Sequence, residues 1–239
     1  MDLATPIAAG LKIDWAQMPT YNTIMSVAAG AGLLLVVGFA RRLADPGRAL
    51  NAEGWSMAFG VLGTILTLTG LHMTLTWPLA AGGFPFDNVI FGEPSLAFGV
   101  LLLFAAFYLW RRAERLEEAP DRIASVAATA GPVSVFVLGM GLASIAIACA
   151  GVGYELFAAP PEEPISGAFA DYPMVEAVFI SGLYALVGVG GVLFPFALKA
   201  GRTAAFKVTQ VCWFLAGLAF LLFGAMNYFT HIGLIVNTM

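Results

Sequence analysis

Histidine occurs only twice in this chain, cysteine only twice, and charged residues fill just 11% of its 239 positions. Soluble globular domains carry about 25% charged residues, so a domain built around a solvated surface is excluded. Eleven Lys and Arg stand against fifteen Asp and Glu, a formal net charge of -4, and the balance gives nucleic-acid binding no support. Cys149 and Cys212 lie in separate apolar runs at depths differing by on the order of 15 Å, at 1.5 Å rise per residue. That separation excludes a disulfide and leaves both as small buried apolar residues. The opening MDLATPIAAGLKIDW has neither the basic start nor the long apolar core of a secretory leader. The first apolar segment is therefore expected to be a permanent helix.

What the chain has instead is apolar length. Sixty per cent of the residues are hydrophobic and the mean hydropathy is +0.87, the composition of an integral membrane protein. A hydrocarbon core of ~30 Å takes roughly 20 apolar residues per helix, which leaves room for about six spans and no separate soluble domain. Six such segments stand out, at about Tyr21 to Ala40, Trp55 to Leu79, Pro94 to Trp110, Pro132 to Phe157, Pro173 to Lys199 and Phe206 to His231. The expected fold is all-α: a single transmembrane six-helix bundle over residues 1–239, with the lipid bilayer as its main partner. Asn51 suits the N-cap of the second helix, and Pro94, Pro132 and Pro173 suit first-turn positions where no backbone donor is lost.

Orientation follows from the basic residues, which are retained in cytoplasmic loops. Arg41, Arg42 and Arg48 follow the first helix; Arg111, Arg112, Arg115 and Arg122 the third; Lys199, Arg202 and Lys207 the fifth. Only Lys12 falls elsewhere. Both termini are thus expected on the outer side, together with the loops Ala80 to Glu93 and Ala158 to Tyr172, in a cell membrane of bacterial type. The inner stretch RRAERLEEAPDR reads as a charged helical extension stabilised by pairs three and four residues apart. Of the outer loops, AAGGFPFDNVIFGEP mixes glycine turns with aromatics and can fold back on the bundle, whereas AAPPEEPISGAFADYP reads as a solvated loop of modest order. The second and third helices share a layout with the fourth and fifth, but residue identity is minimal, and six-span chains produce such layouts without duplication.

On TWPL and DNVIFGEPSLAFG, and specifically on Trp77, Pro78, Asn88, Phe91, Gly92, Glu93 and Pro94, the chain resembles an uncharacterised family of prokaryotic multi-pass membrane proteins, a domain of unknown function. The resemblance implies a membrane location and an important outer hairpin. It implies no chemistry.

Chemistry has to come from the few polar residues set in apolar helices, where an ionisable group is costly enough to suggest function. Thr69, His72 and Thr76 form a polar stripe on one face of the second helix. On the fourth, Gly141, Ser144, Ala148 and Gly151 form a small-residue face that ends at Glu155 and permits close approach, as expected of a central helix. On the sixth, Phe220, Gly224, Asn227 and His231 share a face. Glu93 and Glu176 begin the third and fifth helices on the same side. Inferred depth thus gathers two imidazoles and several carboxylates, a donor set suited to zinc, iron or copper. The candidate metal ligands are His72, Glu155, His231 and Glu93, with Thr69, Tyr154 and Asn227 as supporting partners that orient them.

Each residue also has a structural reading. Glu93 and Glu176 suit the positive end of a helix, His231 an interfacial position, His72 a structural hydrogen bond between helices, and Glu155 a snorkelling surface acid. Bis-histidine haem is the sharper redox alternative. Helix counting argues against it, since His72 lies below His231 by on the order of 5 to 14 Å at 1.5 Å per residue. The functional expectation is an outward-facing polar pocket around His72 with a metal- or haem-dependent redox or binding role. The alternatives are an accessory or assembly subunit packed against other membrane subunits or its own copies, and a small-solute carrier.

Overall fold

The computed structural model describes residues 13–45, 47–79, 84–199 and 203–239; Lys12, Arg202 and the start of the loop at Ala80 lie outside them. Seven α-helices are found there: α1 (Asn22–Leu43), α2 (Ala52–Leu75), α3 (Glu93–Glu117), α4 (Arg122–Ala130), α5 (Ser134–Gly153), α6 (Pro173–Lys199) and α7 (Ala204–Thr238). A π-helical turn (Asn88–Gly92) leads into α3 and a 3-10 turn (Ser166–Phe169) precedes α6. Every α-helix but α4 belongs to a stretch long and apolar enough to cross a membrane.

The starts of α2, α3, α4 and α7 have a local chemical cause. Asn51 caps α2 by accepting from Gly54 N at 2.9 Å, Asp121 caps α4 by accepting from Ala124 N at 2.9 Å, and Thr203 caps α7 through Phe206 N at 3.3 Å. Pro94 occupies the first turn of α3. The charged stretch after Trp110 continues α3 to Glu117, as its pairing pattern predicts, with a non-helical step at Arg112 (φ -125°, ψ 17°). The sequence gives no warning of α4, nor of α7 running past His231 to Thr238.

The described basic side chains gather at one pole. There Arg41 Nε donates to Gln210 Oε1 at 3.4 Å, Arg122 donates to the carbonyls of Arg48 and Glu117, and Glu117 accepts from Ala52 N at 2.8 Å. At the opposite, terminal pole Trp15 Nε1 donates to Thr238 Oγ1 at 3.1 Å, joining the two ends of the described chain.

Antiparallel packing pairs α2 with α3, α5 with α6 and α1 with α7; α1 also meets α2, and α6 meets α7. The small-residue face of α5 is buried as its spacing predicts, with the main chains of Gly141 and Gly191 in close approach. Among the helices it packs chiefly on α6, however, so α5 is not central. It stands at one end of the series α3, α2, α1, α7, α6, α5, and its contact with α3 is slight. Cys149 is exposed and Cys212 buried, both free, so only the second fits the expectation of a buried thiol. Leu68, Leu75, Leu222 and Phe229 are among the many large apolar side chains facing outward, as lipid-facing surfaces require.

Candidate functional site: a cavity with one acidic end

Because α3 and α5 barely touch, the series of helices encloses a cavity of about 1120 Å³. Its wall is mostly apolar, with Leu33 and Val37 from α1, Phe98 and Leu101 from α3, Val137 and Met140 from α5, Leu183 and Val187 from α6, and Trp213 and Phe220 from α7. Along α7 the lining runs from Phe206 to Leu234, the length of a bilayer. Phe104 and Phe107 line the cavity and are nonetheless 70% and 57% exposed, so it communicates with the bundle's outer surface along α3. Arg111, Arg112 and Gln210 stand at its basic pole.

Polar groups concentrate at the terminal pole, where Asn22, Asp87, Glu163, Ser166, Glu176, Asn227 and His231 line the cavity. His231 Nδ1 lies 2.9 Å from the carbonyl of Asn227, one turn back on α7, and 3.9 Å from Glu163 Oε1. A carbonyl only accepts, so Nδ1 is the donor in that contact, while Nε2 faces Asn22 Nδ2 at 3.5 Å. Asn22 Oδ1 is buried without a hydrogen-bond partner. Glu176 accepts from Ala159 N at 2.6 Å, which pins the proline-rich loop over this end. Asn237 Nδ2 fastens the same loop by donating to Glu162 O at 2.8 Å. That loop is therefore an ordered cover, contrary to the reading of it as a solvated segment of modest order.

Asp87 is 7% exposed, and no cap bond forms from its side chain to the π-helical turn it begins. Burial raises its carboxyl from the usual acid range to about 7. Its neighbour Asn88 is fully committed: the amide donates to the carbonyls of Met73 and Thr76, and its oxygen accepts from Leu79 N at 3.3 Å. The resemblance motif thus contains a buried clamp that joins the end of α2 to the start of α3. Aromatic rings continue from it: Phe91 lies 6.4 Å from Phe157, Phe157 stacks on Tyr184 at 6.1 Å, and Tyr184 meets Phe220 edge-on at 6.0 Å.

The residues singled out from sequence divide into two groups. His231 and Asn227 line the cavity. His72 does not; it is exposed on α2, with its Nδ1 2.8 Å from the Tyr21 hydroxyl. Thr69 turns back to the Ile65 carbonyl at 2.7 Å, Tyr154 and Glu155 are exposed where α5 ends, and Glu93 is exposed at the first turn of α3. Inferred depth does bring the histidines to the same turn of α1, since Tyr21 reaches His72 and Asn22 reaches His231, closer in level than helix counting indicates. It does not bring His72 to Glu155, because α2 and α5 pack on different neighbours. Among the described residues, no group of three or more His, Cys, Asp or Glu is placed to hold a metal ion. Sequence reasoning missed Asn22, Asp87 and Glu163. For Asp87 a usable sign existed, a lone acid in the aromatic run FPFDNVIF.

Fold and cavity together define a class: an all-helical protein with six membrane-length apolar helices around an internal cleft. Residues 18–233 match the family described as Protein of unknown function (DUF981), and the chain belongs to that family. No curated protein and no solved structure matches it.

Proposed function

We propose that this is a multi-pass protein of the cytoplasmic membrane that binds an apolar small molecule in its central cavity, with the molecule's polar head at the terminal pole. The observation that carries the reading is the cavity itself, apolar along most of its length and polar at the terminal pole, where its lining includes His231, Asn22, Glu163 and Asp87. Its volume of about 1120 Å³ lies just above the ~300–1,000 Å³ typical of ligand pockets. Entry follows the seam at Phe104 and Phe107, where a bilayer-dissolved molecule reaches the cleft without crossing water. The clustering of Arg and Lys at the other pole supports cytoplasmic placement of that end, with the termini and the acidic end outside. The polar pocket expected around His72 is thereby recentred on His231 and Asp87.

A small-solute carrier is the second reading, favoured by a lining that runs from His231 at one pole to Arg111 and Arg112 at the other.

The test is saturable binding of a neutral apolar fluorophore, 1-N-phenylnaphthylamine, to the purified protein in detergent. About one probe per chain is expected, with binding weakened in Leu101→Trp, whose larger ring narrows the cavity. Equal binding by Leu101→Trp, or no saturable component, overturns the reading.

A further inference from the structure

A buried carboxylate without a partner is an expensive feature to keep, and the chemistry around Asp87 indicates what offsets its cost. Transfer of a lone charge into an apolar site is opposed by several kcal/mol, so such a group either takes up a proton or meets a positive charge. No Lys or Arg among the described cavity-lining residues stands at this pole; Arg111 and Arg112 are at the other. Among the described residues no hydrogen-bond donor reaches the Asp87 carboxylate, and the nearby Tyr184 hydroxyl is spent on the Ile90 carbonyl. Phe91, one turn on from Asp87, opens a run of rings through Phe157, Tyr184 and Phe220 that lines the same cavity. Ring faces are attractive to cations and do nothing for anions.

We propose that the head accepted at this end is a lipophilic organic cation, held by Asp87 against the wall formed by Phe91, Phe157, Tyr184 and Phe220. This rests on the cavity reading above and specifies its ligand class. A small inorganic ion is not the match, since one carboxylate among rings offers too few oxygens and the cavity is far larger than an ion.

Below about pH 7 binding is an exchange, in which the neutral acid releases its proton to solvent and the carboxylate forms an ion pair with the cation; above it the carboxylate is already charged and pairs without proton release. The other titratable groups at this end are Tyr184 and Glu176 from α6, Glu163 from the loop before it and His231 from α7, while α1 contributes the neutral Asn22. The carboxylates of Glu163 and Glu176 add to the attraction for a cation. Deprotonation of Asp87 favours binding at higher pH. Only the contribution of Asp87 disappears in Asp87→Asn.

The experiment uses the full chain in nanodiscs of neutral phosphatidylcholine, with tetraphenylphosphonium and tetraphenylborate, ions of one shape and opposite charge. At pH 8.5 the phosphonium is expected to bind saturably, at least tenfold more tightly than the borate. Its affinity should fall at least fivefold by pH 5.5, and binding at pH 5.5 to 6.5, where Asp87 is still largely protonated, should release protons into weak buffer. Asp87→Asn should weaken the phosphonium at least tenfold. Equal binding of the two ions, or unchanged phosphonium affinity in Asp87→Asn, overturns the cation inference and leaves the cavity reading standing. Loss of the neutral fluorophore in the wild type overturns the cavity reading instead. Should Asp87→Asn not fold, the wild-type pH series decides, and an affinity flat between pH 5.5 and 8.5 overturns the inference.

Discussion

Tyr21 and Asn22 are consecutive residues, and each reaches a different histidine. The Tyr21 hydroxyl lies 2.8 Å from His72 Nδ1, with the two rings edge-on at 5.7 Å, while Asn22 turns to His231 inside the cavity. One turn of α1 therefore holds both imidazoles, one on the surface and one in the cleft.

The surface pair predicts a structural effect without a binding effect. An exposed hydrogen bond contributes about 0.5–1.5 kcal/mol net, so Tyr21→Phe and His72→Leu should each lower thermal stability by about that amount. Since both remove the same contact, the double variant should cost little more than either single one. Cavity-probe affinity should stay within twofold; a tenfold loss in His72→Leu would restore His72 to the binding site.

Two glycines on α5 test helix packing within one turn. A Cβ on Gly141 would sit 2.6 Å from the main-chain nitrogen of Val192, whereas one on Gly139 meets nothing within 4 Å. Gly141→Ala should cost about 1–3 kcal/mol by forcing α5 and α6 apart. Gly139→Ala should be neutral or stabilising by up to about 1 kcal/mol, from helix propensity alone. Comparable melting of the two variants in detergent would refute the close approach.

Asn88 is the clamp between α2 and α3, and its three bonds need both an amide and an oxygen. Asn88→Asp keeps the shape but sets a carboxylate against the Met73 and Thr76 carbonyls. It should destabilise at least as much as Asn88→Ala, each by roughly 1–3 kcal/mol or more. Stability of Asn88→Asp equal to wild type would mean that the amide donates to nothing.

These contrasts show what was legible in the sequence. Apolar runs of about 20 residues and the placement of Arg reveal span number and residue depth, because the bilayer imposes both. They do not reveal azimuth. Both the lipid-facing and the inward face of such a helix are apolar, so α2 exposes His72 while burying the adjacent Met73 without any amphipathic pattern to announce it. Where small residues mark a face, as Gly141, Ser144, Ala148 and Gly151 do, the packed side was readable. The face of α7 bearing Phe220, Asn227 and His231 was readable in the same way. Asp87 escaped because it sits in a loop, where neither period nor depth applies.

Sidedness is open to direct labelling. In a Cys149→Ala, Cys212→Ala background, a cysteine at the exposed Asp171 should react with an impermeant maleimide added to intact cells. One at the exposed Glu118 should react only after lysis. The reverse pattern would place the acidic end of the cavity in the cytoplasm.

The pH dependence of stability isolates Asp87. Its carboxyl titrates near 7 in the folded chain, against an ordinary acid value when unfolded, so the folded state holds the proton more tightly. The associated stability is complete below about pH 4 and is lost as pH rises to about 7, by roughly 4 kcal/mol at most. Asparagine has nearly the shape of the protonated acid and never acquires the charge. Asp87→Asn should therefore unfold close to wild type at pH 4 and at a clearly higher temperature at pH 8, in detergent without added cation. Saturating tetraphenylphosphonium should close that gap by stabilising only the wild type, since a ligand stabilises the state it binds. An Asp87→Asn protein less stable than wild type at pH 8 would mean that a positive group already pairs with the carboxylate, and that no place is left for a cation.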